Sequence, residues 1–228
     1  MKRMRENNKE NIAAESSGPG SHKLRLLYSK TGLIRFISHR DLIRVFFRAF
    51  SRAGLPVAHS QGYSPHPRVS FCPPLKVGME GLGELLDLTL TEPADGEAAA
   101  GRLNAQLPEG IRIRGARPLA AGEPSLGARL KKAEYRVVLE DPIRVSGEAI
   151  ERFLAAAEVR VARIRDGRER TVDARRGVLG LEREGEGTLR MVLSLKDNGR
   201  PYPVLAALAG VDISLLSGLC WRRLGFPP

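Results

Sequence analysis

The stretch Ser38-His39-Arg40-Asp41-Leu42-Ile43-Arg44-Val45-Phe46-Phe47-Arg48-Ala49-Phe50-Ser51-Arg52-Ala53-Gly54 carries two patterns at once. Leu42, Ile43, Phe46, Ala49, Phe50 and Ala53 recur at the three- and four-residue steps of one buried helical face. Ser38 stands at an N-cap with Asp41 three residues on, Gly54 supplies a stop, and Pro56 lies beyond, so a helix over 39–53 is predicted. Arg40, Arg44, Arg48 and Arg52 fall every fourth residue and form a stripe opposite the apolar face.

Working outward, Lys23-Leu24-Arg25-Leu26-Leu27-Tyr28 reads as a strand before this helix, with Arg35-Phe36-Ile37 extending or pairing with it. After the helix come short strands at 57–59 and 69–72, a loop over 73–78, a strand at 84–90, a helix at 95–106 and a strand at 111–119. The glycines of Gly78-Met79-Glu80-Gly81-Leu82-Gly83 read as a flexible or phosphate-approaching loop. Strand, helix, strand, strand, helix, strand is the order of a ferredoxin-like βαββαβ unit. Residues 120–131 read as a linker, and the pattern then recurs over 132–228: strands at 133–140, 159–165, 168–173, 178–184, 188–195 and 219–224, with helices at 146–156 and from Pro201. Asp166-Gly167 marks an extra hairpin. The expected fold class is α+β, two tandem ferredoxin-like units with antiparallel sheets (23–119 and 132–228) behind a flexible tail over 1–22, resembling RAMP-type RNA-binding proteins.

The 228 residues carry a net charge of +11, and its location matters more than its size. Residues 1–83 hold 14 Lys and Arg against 5 Asp and Glu, a net of +9; the remaining 23 and 21 give only +2. A one-signed field over part of a surface attracts a polyanion, and nucleic acid is the leading class. No apolar run approaches the ~18–20 residues of a membrane helix, and the polar start has no apolar signal-peptide core, so a cytoplasmic protein with no membrane partner is expected. Cys72 and Cys220 form neither a disulfide framework nor a CxxC zinc motif, and no P-loop, GxSxG or HExxH occurs.

The loop Gln61-Gly62-Tyr63-Ser64-Pro65-His66-Pro67-Arg68 is stiffened by two prolines. Tyr63 offers a stacking face, His66 and Arg68 offer donors, and Gln61 can read a base edge, which are the parts of single-strand RNA recognition. The expected RNA-contacting set is Arg35, His39, Arg40, Arg44, Arg48, Arg52, Gln61, Gly62, Tyr63, His66, Arg68 and Lys76. His39, at a helix start, and His66 are the candidates for acid or base chemistry. A metal site is not expected, because Asp41 is the only acid nearby.

The ordered run Tyr28-Ser29-Lys30-Thr31-Gly32, Arg35-Phe36-Ile37-Ser38-His39-Arg40-Asp41-Leu42, Arg52-Ala53-Gly54-Leu55-Pro56, Ser60 to Phe71 and Pro73-Pro74-Leu75-Lys76-Val77-Gly78 resembles the bacterial radical SAM-linked protein family. Val172-Asp173-Ala174-Arg175 and Asn198-Gly199-Arg200-Pro201 resemble its weaker C-terminal signatures. The resemblance implies a partner, encoded beside or fused to such proteins, that holds the iron–sulfur cluster and S-adenosylmethionine. This chain lacks the CxxxCxxC triplet for them, so no cofactor of its own is expected. The family's usual residue at position 40 is apolar, so the resemblance does not imply the full arginine stripe. The Ser-His-x-Asp-Leu helix start and basic helix are also similar to the endoribonucleases of CRISPR repeat processing. The function expected is an RNA-binding accessory that presents tRNA or rRNA to a radical-SAM partner. The alternatives are a metal-independent endoribonuclease using His39 or His66 and a protein-only adaptor.

Overall fold

The computed structural model describes residues 22–165, 168–185 and 187–228. The expected tail, apart from His22, and the Asp166-Gly167 turn lie outside the described residues. Strand β1 (His22–Lys30) buries Leu24, Leu26 and Tyr28 on one face. Gly32 (φ +66°) then breaks the extended chain, so Arg35 and Phe36, expected with Ile37 to extend or pair with the strand, fall in a 3₁₀ turn over residues 32–36 instead. The buried Lys30 ammonium fixes the end of that turn, donating to the carbonyls of Arg35 (3.3 Å) and Ile37 (3.1 Å).

Helix α1 (His39–Arg52) follows the local signals. The Ser38 hydroxyl accepts the Asp41 N–H at 3.2 Å and donates to the Asp41 carboxylate at 2.6 Å. Leu42, Phe46, Ala49 and Phe50 are buried, and the Phe46 ring meets Tyr28 (5.0 Å) and Phe71 (5.6 Å) edge-on, which seats the helix on the sheet. Strands β2 (Val69–Phe71), β3 (Glu80–Leu90) and β4 (Ile111–Pro118), with α2 (Gly96–Asn104) capped by Asp95, complete the first half. The expected loop at 78–83 is strand from Glu80 onward. Its glycines admit another strand: a Cβ on Gly83 would lie 2.5 Å from the Leu224 carbonyl oxygen.

The second half runs through β5 (Lys132–Val138), α4 (Gly147–Ala155), β6 (Arg160–Arg165), β7 (Arg168–Asp173), β8 (Val178–Glu184), β9 (Thr188–Ser194), α5 (Pro201–Ala209) and β10 (Trp221–Gly225). Between the halves, the stretch expected as a linker carries a short helix α3 (Leu126–Arg129). It is fastened rather than free: Leu126 and Leu130 bury against Cys72, and Glu123 accepts from Arg25 and Arg117.

The architecture is α+β with a mostly antiparallel sheet. In the first half the spatial order is β4-β1-β3-β2, with every neighbour antiparallel. The second half repeats it as β10-β5-β9-β8, with β6 and β7 paired as a separate hairpin. The halves are not separate sheets. β2 covers Leu86–Leu88 of β3, and β10 pairs in parallel with the start of that edge, Arg222 opposite Glu80 and Arg223 opposite Gly81. One eight-stranded sheet therefore spans two hydrophobic clusters, one around Phe46 and Leu86 and one around Trp221 and Met191. Among the described residues no helix is long and apolar enough to cross a membrane.

The packing at Gly83 predicts a contrast in urea denaturation. Gly83→Ala must push β10 from β3 and should cost about 1–3 kcal/mol. Gly101→Ala, in the interior of α2 with nothing within 4 Å of the new methyl, should stabilise by about 0.5–1 kcal/mol. Equal effects at the two positions would contradict the close strand approach.

Candidate nucleic-acid interface

Arg40, Arg44, Arg48 and Arg52 are all exposed on α1, as the four-residue step requires once the opposite face is buried. Arg44 reaches the Asp41 carboxylate at 3.0 Å, and Arg52 donates to the Gln106 carbonyl at 2.9 Å. Arg40 and Arg48 have no ion pair among the described residues.

The 57–68 segment is pinned at its base and open at its tip. Ala58 N–H donates to the Thr89 carbonyl, Thr89 N–H to the Arg68 carbonyl and Arg68 N–H to the Ala58 carbonyl, all at 2.8–2.9 Å, which fixes both legs against β3. Higher up, Ser60 N–H donates to the His66 carbonyl at 2.8 Å, and His66 N–H returns to the Ser60 hydroxyl at 3.1 Å. Gly62 (φ +128°) makes the reversal that follows. Gln61, Gly62, Tyr63 and His66 are consequently exposed, Tyr63 completely so at 106%. Arg68 is half-buried at the base.

Other members of the expected set sit elsewhere. The Arg35 guanidinium covers the Phe36 ring and faces Glu80 at 3.6 Å. The Lys76 ammonium lies 3.2 Å over the Tyr202 ring, which itself stacks on Trp221 at 4.5 Å. Burial and the nearby Arg163 hold the Lys76 pKa below the usual lysine value. Arg25, counted in the basic block, is buried in a bidentate pair with Asp87 (both contacts 2.7 Å).

His39 and His66 occupy different surroundings: His66 is exposed on the loop, whereas His39 packs edge-on against Phe71 and lines a cavity of about 10 Å³ with Tyr28, Lys30, Cys72, Pro73 and Glu84. Arg223 completes this cluster from β10. Its Nε donates to Glu84 at 2.8 Å, and its Nη2 bonds both Glu84 and, at 2.6 Å, the Pro73 carbonyl; the Cys72 thiol donates to Glu84 at 3.2 Å. Tyr28, Lys30, Glu84 and Arg223 are each at most 2% exposed. Burial pushes the Tyr28 phenol and the Cys72 thiol up, so both stay protonated near neutral pH, and burial lowers Lys30. Among the described residues no three His, Cys, Asp or Glu side chains group as a metal site would need.

The sequence reading missed this cluster, yet it left a signal. Lys30 follows Leu24, Leu26 and Tyr28 at the two-residue step of an inward strand face; Glu84 precedes Leu86, Leu88 and Leu90, and Arg223 follows Trp221. A charge on an apolar strand face must be paired inside.

Burial first, then the neighbouring Lys30 and Arg223 cations, hold the His39 pKa below the ordinary histidine value. The unfolded chain therefore binds a proton that the folded chain refuses, so this residue's stability contribution is complete above pH ~6.5 and falls away as the pH drops below it. Nuclear magnetic resonance should find the His39 ring titrating below ~6.5. His39→Gln should flatten the acid side of the stability–pH curve, and an unchanged curve would refute the assignment.

No curated protein matches the chain in sequence. A solved structure, "Structure of H/ACA RNP bound to a substrate RNA containing 2'-deoxyuridine", includes a chain similar at 14% identity with a TM-score of 0.40, over 92% of this chain and 54% of that one. This chain thus spans about half the length of the solved chain it matches. A family model matches residues 23–201, and on that match the chain belongs to the family described as "Uncharacterized protein conserved in bacteria (DUF2344)".

Proposed function

We propose that this protein binds RNA through α1 and the 60–68 loop and presents it to a radical-SAM partner. The observation that carries the binding step is the stripe of four exposed arginines on a helix whose other face is locked into the core. In this reading Arg40, Arg44, Arg48 and Arg52 contact phosphates, and Gln61, Tyr63 and His66 contact bases. Guanidinium forks suit phosphate oxygens, and an exposed ring on a pinned loop suits an unstacked base. Arg35 and Lys76, each set over an aromatic ring, are left out, whereas Arg44 and Arg52 keep their partners on the exposed stripe itself. The partner, with its iron–sulfur cluster and S-adenosylmethionine, rests on the sequence resemblance, as does the choice of tRNA or rRNA. The recurrence of one strand order supports reading 23–119 and 132–228 as ferredoxin-like units sharing one sheet.

A second reading is metal-independent RNA cleavage with His39 as the base. The lowered His39 pKa and the adjoining Lys30 and Tyr28 favour it. Cleavage of labelled RNA in EDTA that His39→Ala abolishes would establish it; intact RNA throughout would remove it.

Salt titration tests the binding step. The logarithm of RNA affinity should fall linearly with the logarithm of salt, and each of Arg40→Gln and Arg48→Gln should flatten that slope by about 1. Tyr63→Ala should cost about 1–3 kcal/mol on single-stranded RNA. Absence of RNA affinity at ~50 mM salt, or affinity that ignores salt, would defeat the proposal.

A further inference from the structure

The two C-terminal segments singled out in the sequence, 172–175 and 198–201, lie apart along the chain and have no part in the interface above. In the fold they meet. Asp173, Asn198 and Arg200 from these segments, with Arg176, Lys196 and Asp197, help line a cleft of about 320 Å³.

The walls of this cleft are built tightly. The Asp173 carboxylate accepts the N–H groups of Val159 and Arg175, each at 3.0 Å, and so holds the exit of β7. The Ser194 hydroxyl donates to Asp197 at 2.7 Å and accepts its N–H at 3.1 Å. Gly177 (φ +76°) and Gly199 approach so closely that a Cβ on Gly177 would stand 2.9 Å from the Gly199 backbone. Ser194 N–H donates to the Gly177 carbonyl at 2.7 Å, and Gly199 N–H to the Ser194 carbonyl at 2.8 Å. Asn198, which precedes Gly199, adopts a left-handed φ of +59°.

The cations have been left over from this construction. Arg175 is spent on the Val178 and Leu154 carbonyls. Arg176 and Lys196, both exposed, have no ion pair among the described residues, and Arg200 makes only a 3.4 Å contact with the Asn198 side chain. Arg176, Lys196 and Arg200 thus outnumber the two carboxylates, each of which holds its own turn through one oxygen. Helix α5 starts at the same place, and no side chain caps its N-terminus, so its dipole adds to the preference for negative charge.

We infer that this cleft is a binding site for a phosphoryl group. Two guanidinium forks, an ammonium and the Asn198 amide match the acceptor-rich oxygens of a phosphate. A volume at the lower end of the ~300–1,000 Å³ range for small-molecule clefts accommodates a nucleoside monophosphate or the phosphorylated end of an RNA, not a length of duplex. The site stands independently of the α1 interface.

Calorimetry on the full chain tests it with inorganic phosphate, adenosine monophosphate, and a short RNA carrying either a 5′-phosphate or a 5′-hydroxyl. Saturable binding of phosphate or of the nucleotide is expected, and Arg200→Gln and Lys196→Gln should each weaken it by about tenfold or more. Arg144→Gln removes the same charge from an exposed pair with Asp141 and should leave binding unchanged. Lys196 is exposed, so its variant keeps the test valid even if the half-buried Arg200 variant folds poorly. A preference for the 5′-phosphate RNA supports the site and assigns it to RNA ends; nucleotide binding without that preference supports it and assigns it to free phosphorylated ligands. No saturable binding of phosphate, nucleotide or 5′-phosphate RNA at ~1 mM, or an equal loss in Arg144→Gln, would overturn the inference. The salt slopes of the α1 variants would be untouched by that failure.

Discussion

The structure depends on one ion pair, Arg223 with Glu84, buried where β10 meets β3. The two residues are 139 positions apart, and each is only 1% exposed. Burying two charges carries a desolvation cost, and Coulomb attraction offsets it only when the remaining hydrogen-bonding capacity is used. Here it is used: the carboxylate takes two guanidinium bonds and the Cys72 thiol, while the guanidinium also binds the Pro73 carbonyl and covers the Phe226 ring. A C-terminal strand is thereby held against an edge that β2 leaves open, and two cores become one sheet. The same pair sets the field around Tyr28, Lys30 and His39, because Arg223 is among the charges that disfavour a proton on His39.

Pairing of this kind also redistributes the charge of the first third of the chain. Between residues 16 and 79 ten bases face one acid in sequence, yet the acids that answer them lie just beyond, on β3 and before α3. Asp87 and Glu123 take Arg25, and Glu80 faces Arg35. Lys30 is buried on backbone carbonyls, and Lys76 covers an aromatic ring from the other half. What stays outward is narrower than the +9 block: an arginine stripe on α1 and the tip of a loop pinned by its base.

Legibility in the sequence followed the range of the forces involved. Helix α1, its Ser38 cap, its stop at Gly54 and its arginine face obey rules that act within a few residues, and the structure reproduces them. That residues 61–68 form a loop was legible for the same reason, since prolines and Gly62 act on their own backbone; the exposure of its tip was not. The early start of β3 was not, because only the distant β10 turns Glu80–Gly83 from a glycine-rich loop into strand. Residues 120–131 were also misread, since their ordering comes from Arg25, Arg117 and Cys72 rather than from their own composition.

The amino-acid sequence by itself determined the order of the longer strands and helices and the amphipathic helix with its arginines. These follow from local propensity and periodicity, which no distant contact needs to supply. Tertiary structure alone decided three things: that the halves share a sheet, that Tyr28, Lys30, His39, Cys72, Glu84 and Arg223 meet, and that the 172–176 and 196–201 segments enclose a cleft. Each requires side chains far apart in the chain to satisfy one another's charges or to fit where only a glycine leaves room, and such a requirement exists only once the sheet has closed.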